Sequence, residues 1–325
     1  MNYIIDVHAH AMPLGYAECL IRHGVNLPML LPISSNTFAR TLAPSGNSDG
    51  ELKCRLNLMD SASVRYQLLS PTFAPYFADR TVAIETARSI NDELAQMVSR
   101  KPDRLRAYAS LPLPHVDAAL MEINYALDVL KLVGVTLQCS CDGLSFADAR
   151  FDPIFAELSK RNATLFLHPA INGLCSHLIN DWKLTSAAGP LFEDAVAVMH
   201  IIVAAIPQRF PGIKIVVPHL GGGLATSIAR LDNQLPLFTD LRENPSVTVR
   251  RLWYDTCCHG SAAAMISAIE VFGADRLLAG SDYPFLTLHE DYADTFDFIQ
   301  NIGLTKEVAE RILSGNATTL FPDLS

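Results

Sequence analysis

The chain has 325 residues, half of them apolar, and a formal net charge of −9. That length buries a large core as one domain. The acidic balance, with no basic cluster longer than Arg250-Arg251, argues against nucleic acid or an anionic membrane as partner and leaves a small molecule as the default.

The chain lacks both an apolar run of membrane-spanning length and the basic, apolar, small-residue order of a leader, so the expectation is a soluble, cytoplasmic protein. Seven cysteines, scattered and odd in number, form no disulfide framework and are expected to be reduced.

In chain order, the first apolar run, Tyr3-Ile4-Ile5-Asp6-Val7, ends in His8-Ala9-His10. Side chains at i and i+2 of a strand share a face, so these two imidazoles meet at the strand's carboxyl end as a pair of metal ligands. Further strands are expected at 65–70, 105–111, 134–139, 163–168, 213–219, 252–256 and 276–281. Helices are expected near 51–62, 80–99, 116–131, 152–161, 193–208, 224–233, 261–272, 291–302 and 305–314. Asp103, Asp152 and Ser261 read as helix starts, and Gly134, Gly212 and Gly303 as stops. Alternating strands and helices are the pattern of repeated βα units, and eight strands predict a single-domain, distorted (β/α)8 TIM barrel over residues 1–325. Two long segments, 11–50 and 169–192, follow strands one and five and are expected over the barrel mouth.

Such a barrel places its chemistry at the carboxyl ends of its strands. Three other runs also stop at a ligand or proton carrier: Leu165-Phe166-Leu167-His168, Ile215-Val216-Val217-Pro218-His219 and Leu277-Leu278-Ala279-Gly280-Ser281-Asp282. His8, His10, His168 and Asp282 form a donor set suited to Zn²⁺, with Mn²⁺ as the other ion that binds such sets.

The ordered motifs resemble the amidohydrolase superfamily. They are His8-Ala9-His10, His168-Pro169, Arg209-Phe210-Pro211, Pro218-His219-Leu220-Gly221-Gly222, Tyr254-Asp255-Thr256 and Gly280-Ser281-Asp282-Tyr283-Pro284. Within the superfamily they resemble the aminocarboxymuconate-semialdehyde decarboxylase branch, which includes decarboxylases of hydroxybenzoates. The resemblance implies one divalent ion on His8, His10, His168 and Asp282, a catalytic His219, and Asp282 as both ligand and proton shuttle. The fourth strand, Gly134-Val135-Thr136-Leu137-Gln138-Cys139, lacks the lysine that bridges two metals elsewhere in the superfamily.

The implied reaction is non-oxidative decarboxylation of an aromatic or conjugated carboxylic acid. The ring carbon is protonated and carbon dioxide leaves. The rival is hydrolysis of a lactone, ester or carbon–carbon bond by metal-bound hydroxide. Arg55, in an Arg-x-x-x-Met-Asp setting, is expected to hold the substrate carboxylate. Phe73, Tyr76, Gln138, Trp182 and Tyr283 are expected pocket walls. Asp255 and His259 are expected to touch the substrate, Asp255 alternatively orienting an imidazole. The family also implies a homodimer.

Overall fold

Eight of the apolar runs form parallel strands: β1 (Ile4–Ala11), β2 (Val64–Pro71), β3 (Leu105–Ala109), β4 (Gly134–Gln138), β5 (Thr164–His168), β6 (Lys214–Val217), β7 (Trp253–Asp255) and β8 (Leu277–Leu278). The computed structural model describes residues 3–27, 30–34, 37–40, 46–72 and 74–325, the stretches 30–34 and 37–40 by backbone alone. Each strand pairs with the next in chain order. β8 returns to β1 through Val7 N–H donating to the Ala279 carbonyl at 2.9 Å and Asp282 N–H donating to the His8 carbonyl at 2.8 Å. The barrel predicted from the sequence therefore forms.

The principal helices are α1 (Leu14–Arg22), α2 (Asp49–Ser61), α3 (Arg80–Arg100), α4 (Val116–Asn124), α5 (Asp152–Lys160), α6 (Gly189–Val203), α7 (Ile228–Gln234), α8 (Ala262–Phe272), α9 (Asp294–Asn301) and α10 (Lys306–Glu310). Ser261 caps α8 as expected, accepting from Ala264 N–H. Ser48 and Glu51 cap α2 reciprocally. Asp103, expected to start a helix, instead lies in the turn before β3, and Gly134 opens β4. The expected helix 193–208 begins earlier, at Gly189, and breaks at Ala205, whose φ of 51° is left-handed, before a short turn Ile206–Arg209. The segment 11–50 is only partly loop: it contains α1, whose Tyr16, Ala17, Cys19 and Leu20 are buried.

Two apolar layers sandwich the strands. Ile5, Val7, Tyr66, Leu68, Tyr108, Phe166, Val216, Trp253 and Leu278 fill the barrel, joined by Leu320, Phe321 and Leu324 from the carboxyl terminus. Residues one step away, such as Ala9, Leu69, Leu165, Leu167 and Tyr254, pack outward in the larger layer shared with the helices.

β1 changes sides along its length. Its pairing with β2 runs Ile5↔Tyr66, Asp6↔Gln67, then Ala9↔Leu69, three residues advancing on β1 against two on β2. This bulge inserts one extra residue. Ile5 and Val7 therefore face the barrel interior while Ala9 and Ala11 face outward, and His8 and His10 become interior residues stacked above Val7.

Candidate metal centre and active site

Each site residue continues an interior row. On β5, Phe166 is followed two residues later by His168, and on β7, Trp253 by Asp255. β1 reaches the same level through its bulge. Gly280, just past β8, is glycine because of crowding: a Cβ there would lie 2.8 Å from Asp255 Cβ and 3.0 Å from His8 Cβ.

The structure brings the four expected ligands together, with one donor atom from each of His8, His10, His168 and Asp282 lying within 4.8 Å of the others. His8 Nε2 is 3.2 Å from His10 Nε2, and Asp282 Oδ1 is 2.9 Å from His10 Nε2 and 3.3 Å from His8 Nε2. The second nitrogen of each imidazole is already committed. His8 Nδ1 donates to Asp255 Oδ2 at 2.8 Å, His10 Nδ1 to the Pro71 carbonyl at 3.1 Å, and His168 Nδ1 to the Pro169 carbonyl at 3.0 Å. Carbonyl and carboxylate oxygens only accept, so these bonds place the proton on Nδ1 and leave lone pairs on the three Nε2 atoms. Three lone pairs and a carboxylate converging in a buried space repel one another unless a cation lies between them. This donor set fits a divalent ion.

The electrostatics show the same demand for positive charge, which a proton on His8 would otherwise meet. Burial pulls the His8 imidazole down, but Asp255 and then Asp282 outweigh it and push it up to about 9. Burial lowers His10, and burial with the neighbouring imidazoles His10 and His8 holds His168 well below its ordinary range. Burial alone would raise Asp282, yet His8 and its other imidazole neighbours hold it well below the usual carboxylate range. Every ion pair of Asp194, Asp255 and Asp282 among the described residues is with an imidazole.

His219 stands beside this group. Its Nε2 is 3.8 Å from Asp282 Oδ2, and its Nδ1 donates to Asp194 Oδ2 at 2.8 Å. Burial disfavours its charge, but Asp194 more than compensates and holds it well above the ordinary range. The backbone at His219, Leu220 and Asp282 is left-handed, with φ of 52°, 51° and 52°, a conformation costing on the order of 1 kcal/mol per residue and kept only where the surroundings enforce it.

Asp194, on α6, escaped the sequence reading. It is fully buried and also accepts from Cys139 Sγ at 3.4 Å. Its neighbour Glu193 accepts the backbone N–H groups of Ile171, Asn172 and Gly173 at 3.1, 2.9 and 2.9 Å, anchoring the segment after β5. The signal available was a Glu-Asp pair in the first half of a helix that is apolar apart from His200, where a charge has no place unless it is bonded.

The remaining expected residues divide. Asp255 is buried and acts through others: its Oδ2 takes His8, and its Oδ1 accepts the backbone N–H groups of His219 and Cys257, each at 3.0 Å. Gln138 lines a cleft with Pro71, Tyr76, Thr136, His168 and Ile171. The Tyr76 hydroxyl accepts from Gln138 N–H at 2.9 Å.

Arg55 does not arrive at this cleft. It is 1% exposed, donates to Gln67 Oε1 at 2.5 Å and to the His10 carbonyl at 2.7 Å, and lies 4.7 Å above the Tyr283 ring. Tyr283 is buried with it on the outward side of β1, packed edge-on against Tyr292. Trp182 is 74% exposed and is not among the residues that line the cleft. His259 is exposed, with His289 as its aromatic neighbour. Phe73 lies outside the described residues.

The amidohydrolase family profile matches residues 5–322. The chain is 32% identical over 327 residues to the 6-methylsalicylic acid decarboxylase of Penicillium expansum, covering 98% of this chain and 96% of that one. Its fold matches the crystal structure of 2,6-dihydroxybenzoate decarboxylase complexed with 2,6-dihydroxybenzoate, with a TM-score of 0.81 and 24% identity over 99% of this chain and 100% of the other. A dihydroxybenzoic acid decarboxylase from Polaromonas sp. JS666, solved with bound manganese and the inhibitor 2-nitroresorcinol, gives a TM-score of 0.78 at 24% identity, covering 99% and 97% of the two chains.

Proposed function

The chain belongs to the amidohydrolase family, and on that footing we propose that it is a metal-dependent, non-oxidative decarboxylase of a hydroxybenzoate-like aromatic acid. One observation carries this reading: the Asp282 carboxylate has Oδ1 against the ligand imidazoles and Oδ2 facing His219 Nε2. A single side chain thus stands at both the ion and the proton source. The decarboxylases of aromatic acids among the relatives support the same chemistry.

His8, His10, His168 and Asp282 would hold one divalent ion. The donor set favours Zn²⁺, and Mn²⁺ is the ion bound in the Polaromonas relative. When bound, the ion supplies a Lewis acid that holds the substrate's carboxylate and its neighbouring oxygen.

Asp194 fixes His219 through Nδ1, so Nε2 carries the transferable proton. His219 gives that proton to Asp282 Oδ2, and Asp282 delivers it to the ring carbon bearing the carboxylate. That carbon becomes tetrahedral and aromaticity is lost. The bond to the carboxylate then breaks, its electron pair restores the ring, and carbon dioxide leaves. One proton enters and one carbon dioxide departs, so no oxidant or reductant is consumed. Gln138, Thr136 and Ile171 would wall the ring. Asp255 acts by orienting His8.

We read the enzyme further as a cytoplasmic homodimer. Seven free thiols support a reducing compartment. Leu191, Phe192 and Val203, exposed along α6, support a contact between subunits. No described helix is long and apolar enough to cross a membrane.

The test is turnover of 6-methylsalicylate and 2,6-dihydroxybenzoate by the metal-loaded protein in deuterium oxide. Carbon dioxide release with one deuterium entering the vacated ring position is the expected result. Uptake of oxygen-18 from labelled water into an acid product, without carbon dioxide, would replace this reading with hydrolysis.

A further inference from the structure

A second convergence of donors adjoins the first. One ligand atom from each of His219, Cys257 and Asp282 lies within 4.8 Å of the other two, the same limit that encloses the first set. Cys257 follows β7, is 2% exposed, and has its thiol sulfur within 4.8 Å of a His219 ring nitrogen. The two oxygens of Asp282 point different ways, Oδ1 to His8 and His10, Oδ2 to His219. A carboxylate so placed can bridge two ions.

We propose that His219, Cys257 and Asp282 form a second cation site, selective for soft divalent ions such as Zn²⁺ or Cd²⁺, which fills beside the first and is joined to it by Asp282. The selectivity follows from the sulfur. Thiolate favours soft ions, whereas the first set, all nitrogen and oxygen, also accepts the harder Mn²⁺.

Charge balance permits this occupancy. Asp194, Asp255 and Asp282 are three buried anions whose described ion-pair partners are all imidazoles. One divalent ion leaves a single negative charge among them. A second divalent ion that binds with loss of the Cys257 thiol proton brings the total to zero. Because His219 becomes a ligand, its proton is no longer available to Asp282, and an excess of soft metal inhibits the enzyme where an excess of Mn²⁺ does not.

The experiment loads the full-length protein with one equivalent of Mn²⁺, titrates it with Cd²⁺, and counts both metals by elemental analysis after gel filtration. Ultraviolet absorption reports any thiolate-to-cadmium charge transfer. Expected is one Mn²⁺ retained and one Cd²⁺ gained with that absorption. Cys257→Ala and Cys257→Ser should keep the Mn²⁺ and lose both the second equivalent and the band.

Cys19→Ala serves as a control, because Cys19, His23 and Glu85 form another group of potential ligands between α1 and α3. This variant should behave like the unmodified protein. Failure of the unmodified protein to gain Cd²⁺, exchange of Mn²⁺ for Cd²⁺ without a thiolate band, or a band that survives Cys257→Ser would each overturn the proposal. No substrate enters these measurements, so their outcome is independent of whether hydroxybenzoates turn over.

Discussion

Asp6, within β1, and Asp282, bonded through its N–H to the same strand, carry the same side chain in opposite surroundings. On the outward side of β1, Asp6 accepts from Ser281 N–H at 3.0 Å, Ser281 Oγ at 2.6 Å, Gln67 Nε2 at 3.0 Å, Tyr292 OH at 2.8 Å and His8 N–H at 3.2 Å. Every neighbour is a donor, and Arg55 completes the layer by bonding Gln67. On the inward side, Asp282 Oδ1 meets the Nε2 atoms of His8 and His10, whose Nδ1 partners leave them as acceptors. The first arrangement is closed and holds the strand ends together. The second is short of a cation, and that deficit marks a binding site.

If this division is right, mutations on the inward side should abolish metal or turnover and spare the fold, while those on the outward side should do the reverse. The largest effect belongs to His8→Ala: bound metal should fall to background by elemental analysis and turnover with it, and a variant retaining one equivalent would break the inward assignment. His219→Ala should keep that equivalent and lose about 10²–10⁴-fold in kcat, the usual worth of a positioned proton carrier; wild-type rates would remove His219 from catalysis. Arg55→Ala should cost about 3 kcal/mol in urea unfolding, since it strips a buried cation from the His10 carbonyl and Gln67. A variant of undiminished stability that showed only a raised KM would move Arg55 to the substrate. For Asp255→Asn, metal affinity should weaken by about 10–100-fold in a chelator competition, because it orients a ligand without being one. Trp182→Ala, on an exposed loop, should change neither stability nor kinetics beyond about 0.5 kcal/mol; a larger shift in KM would show that the segment folds over the mouth during turnover.

The outward network explains why some residues were legible and others misplaced. His8, His10, His168, His219 and Asp282 could be read because each stands at the end of an apolar run, and a parallel barrel has only one end for its chemistry. Tyr283 carried the same kind of sequence signal, an aromatic residue just past a strand end, but a side chain there can turn to either face, and this one packs outward. Arg55 was placed by its Arg-x-x-x-Met-Asp setting on α2, and its side chain turns to Gln67 and the His10 carbonyl instead of the cleft. Asp194 was illegible for another reason: it reaches His219 from a helix, across a sequence gap of 25 residues that no local pattern bridges.

By itself the sequence determined the alternation of strand and helix, the barrel that eight such units close, and the set of imidazoles at its rim, because periodicity and strand-end position are local properties. Only the tertiary structure decided which way those side chains face. Plain alternation along β1 places Val7 and His8 on opposite faces, and the one-residue bulge between Asp6 and Ala9 puts both inside the barrel. That bulge exists because the β1–β2 pairing fixes the register on either side of it, and pairing between strands separated by some sixty residues is a property of the folded chain alone.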